Sequence, residues 1–282
     1  MSGTILVLGG GGMKALGHVG ALRALHEAGI RPAEVIGTSI GALVAALYGC
    51  GVGWAELATR ARALRKQDTV AINRWSLMFN GIRQTSVFRG EPFQDYIRAQ
   101  LPLERFDALS LPVAMNAVDM ESGETVWFGA GGRADVPLAD AVYASCALPL
   151  FYPPALIDGR HYLDGGVGTT LGLERAAERG AERIIAVDVG GGAEKDALDT
   201  VSRGLIAIHH RVFDIMSYAK RARLLAEWSG PPLVHVRPRL GHFSTFDFSA
   251  TEHFLEEGYR ATREALERAG RAGSGGATAA QA

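Results

Sequence analysis

The sequence predicts an α/β fold of three layers, α/β/α, built on a mostly parallel central sheet. Three observations predict it. Thr4 to Leu8 reads as a short buried strand, followed by the glycines Gly9 to Gly12 and an apolar-periodic helix through Leu16, Val19, Leu22 and Leu25 that stops at Gly29. The same unit recurs when the strand-like run Glu34 to Ile36 turns through Gly37 into a helix over Ile40 to Tyr48, with Gly49 as its stop. Further strand candidates, Val113 to Val118, Thr125 to Phe128, Ile184 to Val189 and Leu233 to Val236, alternate with helical segments, the pattern of a parallel sheet covered on both faces.

Three stretches are less regular. Asp68 to Gly90 carries Trp75, Leu77, Met78, Phe79 and Phe88 without a period, compatible with a lid or pocket wall and equally with a satellite core. Leu198 to Leu225 places Leu198, Val201, Leu205, Ile208, Val212 and Ile215 at helical spacing, and core packing is a simpler role for that face than membrane contact. Ala272 to Ala282, rich in Gly, Ala and Ser, has too little apolar surface to offset ordering and reads as a disordered tail. Residues 1–271 then form one domain, an ordinary size for a continuous α/β core.

Composition narrows the function classes. With 48% hydrophobic and 21% charged residues and no apolar run of spanning length, the chain reads as a water-soluble globular protein. A net charge of −1, with both signs scattered, leaves no electrostatic footprint for nucleic acid. Met1 to Leu8 lacks the charged start and length of a secretory signal, so a cytoplasmic location is expected. Cys50 and Cys146 fit no metal spacing and are expected to be reduced, and no metal or cofactor is expected.

The strongest chemical signal is Gly37-Thr38-Ser39-Ile40-Gly41 between a strand and a helix. Glycines at both flanks permit a sharp bend that pushes the serine hydroxyl outward at a helix N-terminus, where the backbone dipole favours negative charge. The plainer alternative is that Ser39 only caps the helix. Gly9 to Gly12 with Met13 and Lys14 offers unobstructed N–H donors for an oxyanion, with a cation close by. The same loop satisfies a loose dinucleotide fingerprint, Gly10-x-Gly12-x-x-Ala15, but the second strand runs into Gly37 rather than ending on a ribose-binding acid.

A serine nucleophile needs a base. None of the eight histidines has a diagnostic spacing; His18 and His161 suit ordinary solvent-facing or hydrogen-bonded roles, with His161 near a candidate hairpin turn. Asp119, Asp164 and Asp188 each follow a strand-like run, where the C-terminal edge of a parallel sheet would bring them near Ser39. Asp164-Gly165-Gly166 stands out because paired glycines allow close approach to another loop, although Asp-Gly is also an ordinary turn.

Taken in order, Leu8 to Lys14, Gly37 to Ala42, Ala144 to Pro149 and Asp164 to Gly166 resemble the motifs of the patatin-like phospholipase family, with Gly258 to Thr262 similar to its last helix. The resemblance spans most of Ile5 to Val189 and departs from the pattern at Ala15, where the family's first motif ends in glycine. It implies a catalytic dyad of Ser39 and Asp164, an oxyanion motif of Gly10, Gly11, Gly12 and Lys14, and no metal. It further implies hydrolysis of a phospholipid, lysolipid or other fatty-acyl ester through an acyl-enzyme, with transient contact at a membrane surface. An acyltransferase or thioesterase using the same serine, and a non-catalytic lipid-binding regulator, are the competing readings. A carboxylate of ordinary pKa, about 3.9, is a poor base toward an alcohol, so the dyad is expected to be shielded from water.

Overall fold

In the computed structural model, residues 3–72, 84–191, 197–240 and 243–277 are described. The helices are α1 (Gly17–Glu27), α2 (Ile40–Gly49), α3 (Trp54–Ala63), α4 (Lys66–Thr69), α5 (Glu91–Gln100), α6 (Leu138–Cys146), α7 (Leu173–Glu178), α8 (Ala197–Ser202), α9 (Leu205–Ala226) and α10 (Thr251–Ala277). The strands are β1 (Thr4–Leu8), β2 (Glu34–Gly37), β3 (Val113–Asp119), β4 (Thr125–Gly129), β5 (Ala155–Ile157), β6 (Arg160–Asp164), β7 (Arg183–Val187) and β8 (Leu233–Val236).

β1 lies at the centre, parallel to β2 and β7, with β3 beyond β2 and β8 beyond β7 also parallel. Alternate side chains of these strands feed two cores. Leu6, Leu8, Val35, Ile185 and Val187 pack with α1, α2, α6 and α10, whereas Ile5, Val7, Ile36, Ile184 and Ala186 pack with α7 and the end of α9. Burial on both faces is what makes the strands read as unbroken apolar runs, and it yields the expected three layers.

The sheet is mixed rather than uniformly parallel, because β4, β5 and β6 enter antiparallel. β5 and β6 form the hairpin expected near His161; Asp158 and Gly159 both have positive φ at its two-residue turn. The register around β3 decides where the chemistry falls. β4 overlaps β2 at Ala114 and Met115 and overlaps β6 at Ala117 and Val118, so β2 and β6 must share the other edge of β3. β2 leaves that edge at Gly37, opposite Met115, and Asp164 occupies it two residues on, opposite Ala117.

One sequence reading changes. The apolar residues of α8 and α9 cited for core packing, Leu198, Val201, Leu205, Ile208, Val212 and Ile215, are exposed. Helix α10 runs to Ala277. Trp75, Leu77, Met78 and Phe79 lie outside the described residues, while Phe88 is buried against Phe151, Tyr152 and Phe246. Among the described residues no helix is long and apolar enough to cross a membrane.

Candidate active site

The bend between β2 and α2 is as sharp as its glycines suggested. A Cβ on Gly37 would stand 2.5 Å from the Ala42 Cα, and one on Gly41 would overlap the Leu8 carbonyl, so neither position accepts a side chain without moving backbone. Between them Ser39 adopts φ 55° and ψ −132°, an uncommon conformation for a residue with a side chain. Its hydroxyl makes no capping hydrogen bond to α2. Instead it donates to Asp164 Oδ2 at 2.6 Å, which removes the plain capping role.

Asp164 is brought there by the shared edge of β3, not by the end of a parallel strand as its sequence position suggested. Its other oxygen, Oδ1, accepts from the Gly166 amide at 2.7 Å, and its own N–H donates to the Ala147 carbonyl. Gly165 is required by contact: a Cβ would overlap the Asn116 carbonyl on β3. The carboxyl is 2% exposed, and burial pushes its pKa up to about 6 against the opposing pull of the hydrogen bonds from Ser39 and the Gly166 amide. That environment matches the shielding expected of a carboxylate base.

The other two candidate carboxylates are spoken for. Asp119 accepts from Arg160 at 2.5 Å and from the Glu121 amide, and these hold its pKa below the ordinary value. Burial by itself would raise Asp188, but His235, Arg221 and Arg237 together hold it low. Arg221 approaches Asp188 at 3.0 Å and is itself buried. Of the histidines in question, His161 is exposed and His18 is fully buried. His18 Nε2 donates to the Gly9 carbonyl at 2.7 Å, and burial lowers its pKa to about 4, so the ring is a neutral brace for the glycine loop.

That loop is clamped on both sides of two uncommitted amides. The Gly9 N–H donates to Val187 O, Gly10 N–H to Thr170 O and Met13 N–H to Thr245 O. Among the described residues the Gly11 and Gly12 amides donate to no backbone acceptor. The Gly10 amide, expected among the donors, is already taken, although Gly10 still abuts Ser39: a Cβ there would stand 3.4 Å from Ser39 Cβ. Lys14 is buried and lines the same cleft. Ala15 packs into the core, so its methyl is absorbed by apolar neighbours.

Two further residues hold the parts together, Asn116, which no motif marked out, and Ser145, which lies within the Ala144 to Pro149 motif. Asn116, in the middle of β3, accepts from Thr38 Oγ1 at 2.8 Å and donates to the carbonyls of Gly165 and Thr169, both at 3.0 Å. One side chain thus ties the serine bend to the aspartate turn. Ser145 at the end of α6 accepts from the Ser39 amide at 2.9 Å. The polar residue in an otherwise apolar strand was the available signal for Asn116, since a buried amide must find partners.

Ser39 and Asp164 open onto a cleft of about 1310 Å³, its mouth included, walled by Leu43, Leu47, Leu57, Phe93, Tyr152 and Phe246. Its predominantly apolar wall suits a fatty-acyl chain. The family model described as patatin-like phospholipase matches residues 6–177, more than half of the sequence.

The chain belongs to the patatin-like phospholipase family. An uncharacterized NTE family protein of Mycobacterium tuberculosis is 30% identical over 199 residues, covering 69% of this chain and 51% of that protein. The patatin-like phospholipase domain-containing protein 6 of Homo sapiens is 29% identical over 90% of this chain, which corresponds to 20% of the human protein. Lysophospholipase NTE1 of Coccidioides immitis is 28% identical over 93% of this chain and 17% of its own length. The chain therefore spans about half or less of these relatives. The crystal structure of VipD from Legionella pneumophila shares the patatin-like fold at a TM-score of 0.51, with 14% identity over 94% of this chain and 67% of VipD.

Proposed function

We propose that this patatin-like protein is a serine lipid acyl hydrolase of phospholipase A or lysophospholipase type, cleaving fatty-acyl esters through a Ser39–Asp164 dyad. The observation that carries the proposal is the 2.6 Å hydrogen bond from an outward-bent serine to a buried carboxylate with a pKa raised to about 6. Ser39 Oγ attacks the ester carbonyl as its proton passes to Asp164 Oδ2, and the amides of Gly11 and Gly12 receive the oxyanion, with Lys14 adding positive potential. Collapse of the tetrahedral adduct expels the alcohol, which takes the proton from Asp164, and leaves Ser39 acylated. Water then attacks the acyl-enzyme with Asp164 again as base, releasing the fatty acid and restoring the serine. The apolar cleft wall is suited to the acyl chain.

The substrate class is a phospholipid, a lysolipid or another fatty-acyl ester, reached by transient contact with a membrane surface. Cys50 and Cys146 are free thiols, in keeping with action from the cytoplasmic side. The test is hydrolysis of a soluble p-nitrophenyl ester and of a lipid panel, with the released acid identified by mass spectrometry. Wild type is expected to release fatty acid and to be labelled by a fluorophosphonate, and Ser39→Ala is expected to do neither. Full activity in the Ser39→Ala variant would overturn the assignment.

A further inference from the structure

Helix α9 is amphipathic in the wrong sense for a water-soluble surface helix. The residues it buries are Ser217 and Arg221, and with His210, Phe213 and Asp214 they face the cleft that holds Ser39. On the opposite side Leu205, Ile208, Val212, Ile215 and Met216 recur at spacings of three or four and are exposed, Leu205 at 77%. The preceding helix α8 buries nothing, and its own apolar residues Val201 and Leu198 are exposed as well, the latter at 83%. An exposed apolar strip along one face of α9, with further exposed apolar residues on α8, calls for an apolar partner.

We propose that the outer face of α8 and α9 docks the protein on an anionic lipid surface, and that the cleft on the inner side of α9 is thereby held next to the lipid that supplies its substrate. The choice of lipid rests in part on the acyl-hydrolase reading above, and charge favours it independently. Among the exposed charged residues from Ala197 to Glu227 three are basic and two acidic, Arg203 pairing with Asp199 and Arg223 with Glu227, so this face keeps one positive charge in excess in a chain whose net charge is −1. Arg203, Lys220 and Arg223 are exposed beside the strip. Apolar side chains flanked by basic ones form the pattern of a helix lying in the headgroup region. A second copy of the chain fits less well, because a twofold contact would set the same basic side chains against each other. The strip and the cleft are separated by one helix, a distance of roughly 10 Å, so the docked face would hold the cleft at the interface.

The experiment uses the full chain with Ser39→Ala, so that vesicles are not consumed, and vesicles of phosphatidylcholine with and without phosphatidylglycerol. Sedimentation is expected to show binding to the anionic vesicles that weakens as salt rises. Adding Leu205→Ser, Val212→Ser and Ile215→Ser together is expected to lower binding by more than about tenfold, since each buried apolar side chain accounts for about that factor. With Ser39 restored, the triple variant is expected to lose turnover of vesicle lipid but to keep soluble-ester hydrolysis, which also reports that it is folded. Vesicle binding that survives the triple substitution overturns the proposal. So does a wild type that ignores vesicles and instead forms a dimer that the triple variant dissolves. If soluble-ester hydrolysis is absent or independent of Ser39, the acyl-hydrolase reading falls, and vesicle binding still decides the docking face by itself.

Discussion

Asp164 and Asp188 are two buried aspartates at strand ends with opposite surroundings. Asp188 is matched by Arg221, Arg237 and His235, and its carboxyl is held low. Among the described residues Asp164 receives only the Ser39 hydroxyl and the Gly166 amide, and burial raises its pKa from 3.8 to about 6. The difference separates a carboxylate that supports the fold from one that can act. An ion pair fixes the charge and removes it as a base, whereas a buried and under-compensated carboxylate is ready to take a proton near neutral pH.

The largest expected effect is chemical. Ser39→Ala and Asp164→Asn should each lower soluble-ester hydrolysis by about three orders of magnitude or more, since the pair acts as a unit. Asp188→Asn should do the reverse, sparing the chemistry while destabilising the fold by roughly 3–5 kcal/mol, because it leaves buried guanidinium charge unmatched. Thermal melting beside an activity assay on the folded fraction checks both.

The two linkages also have opposite signs. Because the Asp164 pKa is raised in the folded state, its ionisation costs about 3 kcal/mol of stability above pH 6, and the cost disappears as pH falls below 3.8. Asp164→Asn is therefore expected to melt no lower than wild type at pH 7.5, with its advantage shrinking toward pH 5. Asp188 is depressed, so its contribution is present above the ordinary carboxylate range and is lost on acidification. Activity should follow Asp164, with kcat/KM falling about tenfold per pH unit below an acid limb near 6. An acid limb at 4 or lower would remove Asp164 as the base.

Asn116→Ala tests the tie between the two loops. It should slow fluorophosphonate labelling of Ser39 by about ten- to a hundredfold without abolishing it, as expected when positioning rather than chemistry is lost. Ala15→Gly should change activity by no more than about twofold, because the methyl is buried in the core and does not face the reacting groups.

Much of this site was legible in the sequence because its constraints are local. Gly37, Gly41 and Gly165 are needed where backbones nearly touch, and such needs leave a motif. Asn116 acts across 49 to 78 residues and His18 from inside a helix, and nothing in their immediate neighbours announces a partner. The parallel core was legible through its apolar runs, while β5 and β6 were short and half exposed and gave only a turn. The period of α9 was legible but its sense was not. Spacing fixes which residues share a face and is silent on whether that face meets the core or the outside.

The crossing of α1 and α10 carries a practical consequence. A Cβ on Gly20 would collide with the Leu255 carbonyl and one on Gly258 with the Gly17 carbonyl, so the two backbones touch directly. Residues 6–177, the part matched by the family model, contain α1 but none of β7, β8 or α10. An expression fragment cut at those limits would strip β1 of one hydrogen-bonded neighbour and leave the glycine face of α1 bare. Recognisable family sequence and independently foldable protein are therefore different lengths here, and boundaries for any truncated version should be drawn beyond α10.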